Sequence, residues 1–103
     1  MSVYALTPLA QADIFSIWSF IAEDNEAAAD RVEQAIYSAC ASLAAHHRRG
    51  HRRPDLTNHP VRFWPLTRYP NYSIVYRPDT KPLQIIAVLH GKRDIPKPLH
   101  ERP

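Results

Sequence analysis

The sequence predicts one α+β domain, in which a helical hairpin packs on one face of a small, largely antiparallel sheet in the order β-α-α-β-β-β. Three observations predict this class. Apolar side chains recur at helical spacing over residues 8–45, and three β-type runs separated by short turns fill residues 61–90. A chain of 103 residues has room for one modest core.

A short β-type run at residues 3–6 precedes the first helix. Thr7 and Pro8 predict the helix start, because a hydroxyl N-cap followed by proline favours the first helical turn. The helix is predicted to end near Glu23. Its apolar residues at helical spacing are Ala10, Ile14, Ile17, Trp18 and Ile21.

A second helix is predicted to begin after Asp24 or Asn25 and to end before Gly50, which we interpret as its terminator. A connection of about three residues requires the two helices to lie antiparallel. The apolar stripe of the second helix consists of Ala28, Val32, Ile36, Ala39, Cys40 and Leu43.

The second half of the chain predicts a loop followed by an antiparallel meander. Residues 51–60, HRRPDLTNHP, are typical of a loop, and the β-type runs cover residues 61–66, 72–77 and 83–90. Because the hairpin covers one face of this sheet, we expect the other face and one edge to be partly open.

Charge is distributed unevenly along the chain. Residues 1–45 contain six acids and one base, whereas residues 46–103 contain twelve Lys or Arg and four acids. This asymmetry predicts a basic working surface on the second half and a merely solvated acidic surface on the first. The chain has no apolar run near the roughly 20 residues of a membrane span and no signal-like start, so we predict a cytoplasmic protein.

Several kinds of chemistry fit the sequence poorly. Four histidines cluster around the loop (His46, His47, His51 and His59), but a zinc site needs ligands on a rigid frame, and Cys40 is predicted to lie in the core. A nucleophilic hydrolase needs a glycine-flanked elbow, and the chain has two glycines. We therefore predict neither a metal nor a cofactor.

Basic and aromatic side chains on the meander form the candidate site. The basic residues are Arg62, Arg68, Arg77, His90, Lys92 and Arg93, and the interleaved aromatic residues are Trp64, Tyr69, Tyr72 and Tyr76. Such a surface can bind nucleic acid, or a histidine and arginines can cleave RNA by acid–base chemistry. Tyrosines alternating along a small sheet fit a core equally well, so direct nucleic-acid binding stays open.

In their order and spacing, several segments resemble the toxins of the RelE/ParE superfamily, most closely the ParE branch. These segments are LTPLAQADI, IWSFIAEDN, EAAADRVEQAI, GHRRPDL, VRFWPL, IVYR and VLHGKRD. The resemblance runs from Tyr4 to about Ile95 and implies the same β-α-α-β-β-β fold. We therefore predict one toxin domain over residues 1–95, followed by a mobile tail over residues 96–103.

The resemblance implies the toxin of a type II toxin–antitoxin module, of the kind that stabilises plasmids. Such toxins poison DNA gyrase without being enzymes themselves, and a cognate antitoxin, ParD-like or similar, neutralises them. The six basic residues above are then expected to contact the antitoxin or the target. The motif VLHGKRD would place His90 at the sheet edge and let Arg93 and Asp94 form a local ion pair.

Two alternatives remain open from the sequence. The protein could be a ribosome-dependent mRNA endonuclease of the RelE type, with His90, Arg77 and Arg93 as catalytic residues. It could also be a decayed toxin that serves only in autorepression with its antitoxin.

Overall fold

The structure, a computed structural model, describes residues 3–90 and contains two helices packed against a four-stranded mixed sheet. The elements are β1 (Tyr4–Leu6), α1 (Pro8–Ala22), α2 (Glu26–Ala45), β2 (Arg62–Pro65), β3 (Tyr72–Arg77) and β4 (Leu83–His90). This arrangement confirms the predicted α+β class. The predictions for Lys92, Arg93, Asp94 and the tail 96–103 lie outside the described residues and stay predictions.

The strands are ordered β1-β4-β3-β2, so β4 lies inside the sheet. It pairs parallel to β1 and antiparallel to β3. The β3–β4 register shifts between Val75 and Tyr76: Val75 lies opposite Ala87, whereas Tyr76 lies opposite Ile85. Ile86 is therefore the extra residue of a β-bulge in β4.

Both helices begin at the predicted positions. The Thr7 Oγ1 atom accepts the Ala10 N–H at 3.2 Å, with Pro8 in the first turn of α1. The Asn25 Oδ1 atom accepts the Ala28 N–H at 2.9 Å, so Asn25 and not Asp24 is the N-cap of α2.

Among residues 3–90, no helix is both long and apolar enough to cross a membrane.

Gly50 has a different role from the one predicted. The second helix already ends at Ala45, and Gly50 is buried beneath β3, where its N–H donates to the Tyr76 hydroxyl at 2.8 Å. A Cβ atom at this position would lie 2.6 Å from that oxygen. Gly50 is therefore required for close approach of the backbone to Tyr76 and does not terminate the helix.

Apolar side chains are buried on both faces of the sheet. The helix-side cluster includes Ile14, Ile36, Leu43, Ile74, Tyr76 and Ile85. The second cluster consists of Val61, Phe63, Val75, Ile86, Ala87 and Leu89, with Leu56 packed against it. Our expectation of a partly open second face is therefore wrong, because alternation along β2 and β3 directs apolar side chains there as well.

Loop and side-chain contacts cover part of the edge strand β2 and the part of β4 that extends beyond β1. His51 and Phe63 exchange two backbone hydrogen bonds along β2, at 2.9 and 2.7 Å, and Pro65 has no N–H to offer. Along β4, beyond the end of β1, the Asp13 carboxylate accepts the Val88 N–H at 3.0 Å. These contacts limit the addition of a further strand at both positions.

Candidate functional site

A shallow basic groove lies between α2 and β2, with a volume of about 260 Å³. One wall is the small-residue face of α2, formed by Ala35, Ser38, Ala39 and Ser42. The lining is completed by Arg49, Trp64, Leu66, Thr67 and Arg68. The groove thus combines small and apolar side chains with two arginines.

Arg49 is held at the rim of this groove. Its guanidinium carbon lies 5.5 Å from the centroid of the Trp64 ring, and Nη1 donates to the Ser42 hydroxyl at 2.9 Å. The His51 ring stacks near Trp64 with centroids 6.5 Å apart. These contacts orient the guanidinium without neutralising its charge.

Two of the predicted arginines lie close to the groove and differ in what holds them. Arg68 is exposed and forms no hydrogen bond or ion pair with the described part of the chain. Arg62 donates from Nη1 to the carbonyl oxygens of Gly50 at 2.7 Å and Arg48 at 3.3 Å. Arg68 is therefore available to a partner, whereas Arg62 fastens the loop after α2 to the sheet.

Arg77 and His90 lie apart from the groove and from each other. Arg77 lies opposite Gln84 at one end of β3, and His90 lies opposite Tyr72 at the other end. The rings of Tyr72 and His90 meet edge to face, with centroids 5.4 Å apart. Five residues of strand separate these ends by roughly 17 Å, and alternation places their side chains on opposite faces. The structure does not bring Arg77 and His90 together, and Arg93 lies outside the described residues.

The toxin family of this chain follows from comparison with known proteins. The family model of the ParE toxin of the type II toxin–antitoxin system parDE matches residues 4–95. The chain belongs to the ParE toxin family. The predicted resemblance is thus confirmed over almost the whole chain.

A solved ParE-related structure supports the same fold. The chromosomal ParDE toxin–antitoxin system from P. aeruginosa includes a chain 25% identical in sequence, with a TM-score of 0.69. The similarity covers 87% of this chain and 96% of that chain. No curated protein sequence matches significantly.

Other basic residues of this ParE-family protein are engaged in exposed ion pairs. The Arg53 guanidinium contacts Asp55 through two bonds, at 3.0 and 2.8 Å, and this hydrogen bonding lowers the pKa of the Asp55 carboxyl. Arg48 lies 3.5 Å from Asp79. Such exposed pairs contribute little to stability. No three metal-ligating side chains converge within residues 3–90.

Sequence reasoning missed Arg49 and the groove itself. The sequence predicts a helix that ends before Gly50 and a loop over residues 51–60, and neither prediction gives Arg49 a role. Small residues spaced at i, i+3, i+4 and i+7 from Ala35 were the signal that a helix face could accept a neighbour. The opposite wall of the groove contains Trp64 of β2, and it could not be predicted without the tertiary structure.

Proposed function

We propose that this ParE-family protein inhibits DNA gyrase in the cytoplasm and that a cognate antitoxin neutralises it. The family match over residues 4–95 carries the proposal, since it spans every helix and strand of the described fold. Membership in a type II toxin–antitoxin family implies an antitoxin partner, and gyrase is the target expected for the ParE branch.

The basic groove is the proposed contact for an acidic segment of the antitoxin. Arg49 and Arg68 offer two cationic groups beside the apolar surface of Trp64 and Leu66. A partner that sets carboxylates against the arginines and apolar side chains on the floor would complement both. Arg62 supports this surface by holding Arg48 and Gly50 in place.

Action by binding rather than by catalysis agrees with the placement of the basic residues. Cleavage of RNA by a 2′-hydroxyl needs a base, an acid and a cation within reach of one phosphate. Arg77 and His90 occupy opposite ends and faces of the β3–β4 ladder. We therefore assign them no joint catalytic role.

Expression of the protein without its antitoxin tests the target. We expect cells to filament and to induce the DNA-damage response while bulk protein synthesis continues, and purified protein to stabilise cleaved DNA in a gyrase assay. Co-expression of the antitoxin is the control and should abolish both effects. A prompt arrest of translation with cleavage of ribosome-bound mRNA would instead establish the endonuclease alternative.

Replacement of His90 separates the two mechanisms further. We expect His90→Ala to retain toxicity within about tenfold, because loss of a general acid typically lowers a rate by roughly 10²- to 10⁴-fold. The folded state of the variant is checked by circular dichroism. A loss of the larger size in a ribosome-programmed cleavage assay, with folding unchanged, would contradict the proposed mechanism.

A further inference from the structure

A dense run of positive charge directly follows α2. Residues 46–53, HHRRGHRR, contain four arginines, three histidines and no acid, and they form what we call the basic strip. All of them except Gly50 are exposed. Cations favour a helix C-terminus only within about its last turn, so stabilisation of α2 does not account for the length of the strip.

The fold fixes the middle of the basic strip against β2. The backbone N–H and carbonyl groups of His51 exchange hydrogen bonds with Phe63 at 2.9 and 2.7 Å. Arg62 donates from Nη1 to the carbonyl oxygens of Gly50 at 2.7 Å and Arg48 at 3.3 Å. The strip is therefore held in place by the sheet, and a ligand does not have to order it first.

Three arginines of this surface keep their charge available. Arg52 and Arg68 are exposed and form no hydrogen bond or ion pair with the described part of the chain. Arg49 donates to a neutral serine hydroxyl. Arg48 and Arg53 are each paired with an exposed aspartate, and such pairs are weak enough for another anion to replace the aspartate.

The surface of the strip suits phosphate groups better than a peptide. A depression at the end of α2 has a volume of about 530 Å³, and of the described residues that line it only Ala45 is apolar. The others are His46, His47, Arg48 and Arg49. A peptide needs apolar anchors that become buried, whereas phosphates need only cations, because their neutralisation releases condensed counterions.

The aromatic surface beside the strip favours a nucleic-acid duplex over a single strand. Single strands are bound largely by stacking of their bases on aromatic rings. Trp64 is partly buried, and its ring centroid already lies 5.5 Å from the Arg49 guanidinium carbon and 6.5 Å from the His51 ring centroid. It therefore offers little surface to a base, and the backbone of a duplex requires none.

We propose that the basic strip, together with Arg68, binds the phosphate backbone of a DNA duplex. Arg49, Arg52 and Arg68 contact phosphates, and Arg62 keeps the strip in position. Phosphate contacts carry no sequence information, so the binding is independent of base sequence. The choice of DNA over RNA rests on the proposed inhibition of gyrase, whose substrate is DNA. The toxin would thereby hold both the enzyme and the DNA on which it acts.

Fluorescence anisotropy of a labelled duplex of about 30 base pairs tests this inference. We expect purified toxin to bind two duplexes of unrelated sequence with Kd values equal within about twofold, at roughly 10⁻⁶ to 10⁻⁴ M near physiological salt. Three phosphate contacts predict a slope of about −2.7 for the logarithm of the association constant against that of salt concentration. Affinity should then fall about 40-fold between about 50 and 200 mM salt.

Matched substitutions localise the contact. Arg52→Gln should raise the Kd about five- to tenfold near 0.1 M salt and make the slope shallower by about 0.9. Arg31→Gln is the control, since it removes the same charge from an exposed position roughly 20 Å along α2 from the strip, beyond the screening length. It should change the Kd less than about twofold. Circular dichroism establishes that both variants are folded.

Three results would overturn the DNA site. Equal effects of Arg52→Gln and Arg31→Gln would show that only net charge matters. An RNA duplex of the same length bound more than about tenfold more tightly would assign the strip to RNA. An Arg52→Gln variant that binds DNA normally but loses affinity for the antitoxin would assign it to an acidic protein segment.

The gyrase assay separates this inference from the proposed function. A toxin that stabilises cleaved DNA with gyrase but leaves the anisotropy of the free duplex unchanged refutes the DNA site and leaves gyrase inhibition intact. A toxin that binds the duplex with the expected slope but has no effect on gyrase supports the site and refutes the proposed function.

Discussion

Gly50 and Tyr76 form a contact in which each residue depends on the other. The Tyr76 hydroxyl accepts the Gly50 N–H and lies where a Cβ atom of residue 50 would be. Burial raises the pKa of this hydroxyl, and the hydrogen bond from Gly50 partly offsets the effect. The sequence predicted Gly50 only as the end of the second helix, because its contact with Tyr76 joins residues 26 positions apart and needs the tertiary structure.

Substitution at this contact should destabilise the fold. We expect Gly50→Ala to lower the free energy of unfolding by about 1–3 kcal/mol, because the added methyl meets the Tyr76 ring and the Phe63 carbonyl oxygen. Tyr76→Phe should cost about 1–3 kcal/mol, since it leaves the buried Gly50 N–H without an acceptor. Urea unfolding measures both. A Gly50→Ala variant as stable as the parent would contradict this packing.

Cys40 predicts how stability varies at alkaline pH. Burial raises the pKa of its thiol from 9.0 to about 12. A group with a raised pKa in the folded state stabilises that state below pH 9, and this contribution is lost as pH rises from 9 towards 12. The free energy of unfolding should therefore fall over this range, with a smaller slope in Cys40→Ala. Equal slopes in the two proteins would show that Cys40 does not contribute.

At the level of secondary structure, local signals were sufficient for most element bounds. The runs at residues 72–77 and 83–90 match β3 and β4, because turn residues flank them and their β-branched content is high. The pairing of β1 with β4 could not be predicted. A strand of three residues carries almost no register information, and its partner lies at the far end of the described chain.

The start of α1 can be tested through Thr7. We expect Thr7→Ala to lower the free energy of unfolding by about 0.5–2 kcal/mol, because the Ala10 N–H loses its acceptor. The Thr7 hydroxyl also donates to the Ile86 carbonyl at 3.4 Å, which places the effect towards the upper part of that range. Ser16→Ala on the exposed face of α1 is the control. Similar values for the two variants would contradict the capping role.

At the scale of the whole molecule, the sequence shows that acidic residues concentrate in the first half of the chain and basic residues in the second. It does not show which of the basic residues are held by the fold and which are open to a partner. Arg68 lines the basic groove, and its contact with an antitoxin or target stays a prediction, whereas Arg62 holds the loop after α2. Arg77 and His90 could not be placed on opposite faces without the β3–β4 register.

Charge complementarity should be visible in the kinetics of antitoxin binding. We expect association to slow as salt concentration rises, because screening weakens steering, while the complex persists through its apolar contacts. Arg68→Glu should slow association more than Lys81→Glu, which makes the same charge change in the turn at the other end of β3. Stopped-flow fluorescence measures both rates. Equal slowing by the two variants would show that only net charge matters.

A cut in the loop between α2 and β2 would give two fragments, each of which packs its apolar residues against the other. Residues 52–55 of this loop are exposed, so the chain can be split there without cutting a strand or helix. The fragment ending at Arg52 has a net charge of −2 and the fragment beginning at Arg53 one of +5. Neither fragment buries its apolar face alone, because β1 and α1 pack on β4. Reassembly of the halves would make the toxin conditional, formed only in cells that express both fragments.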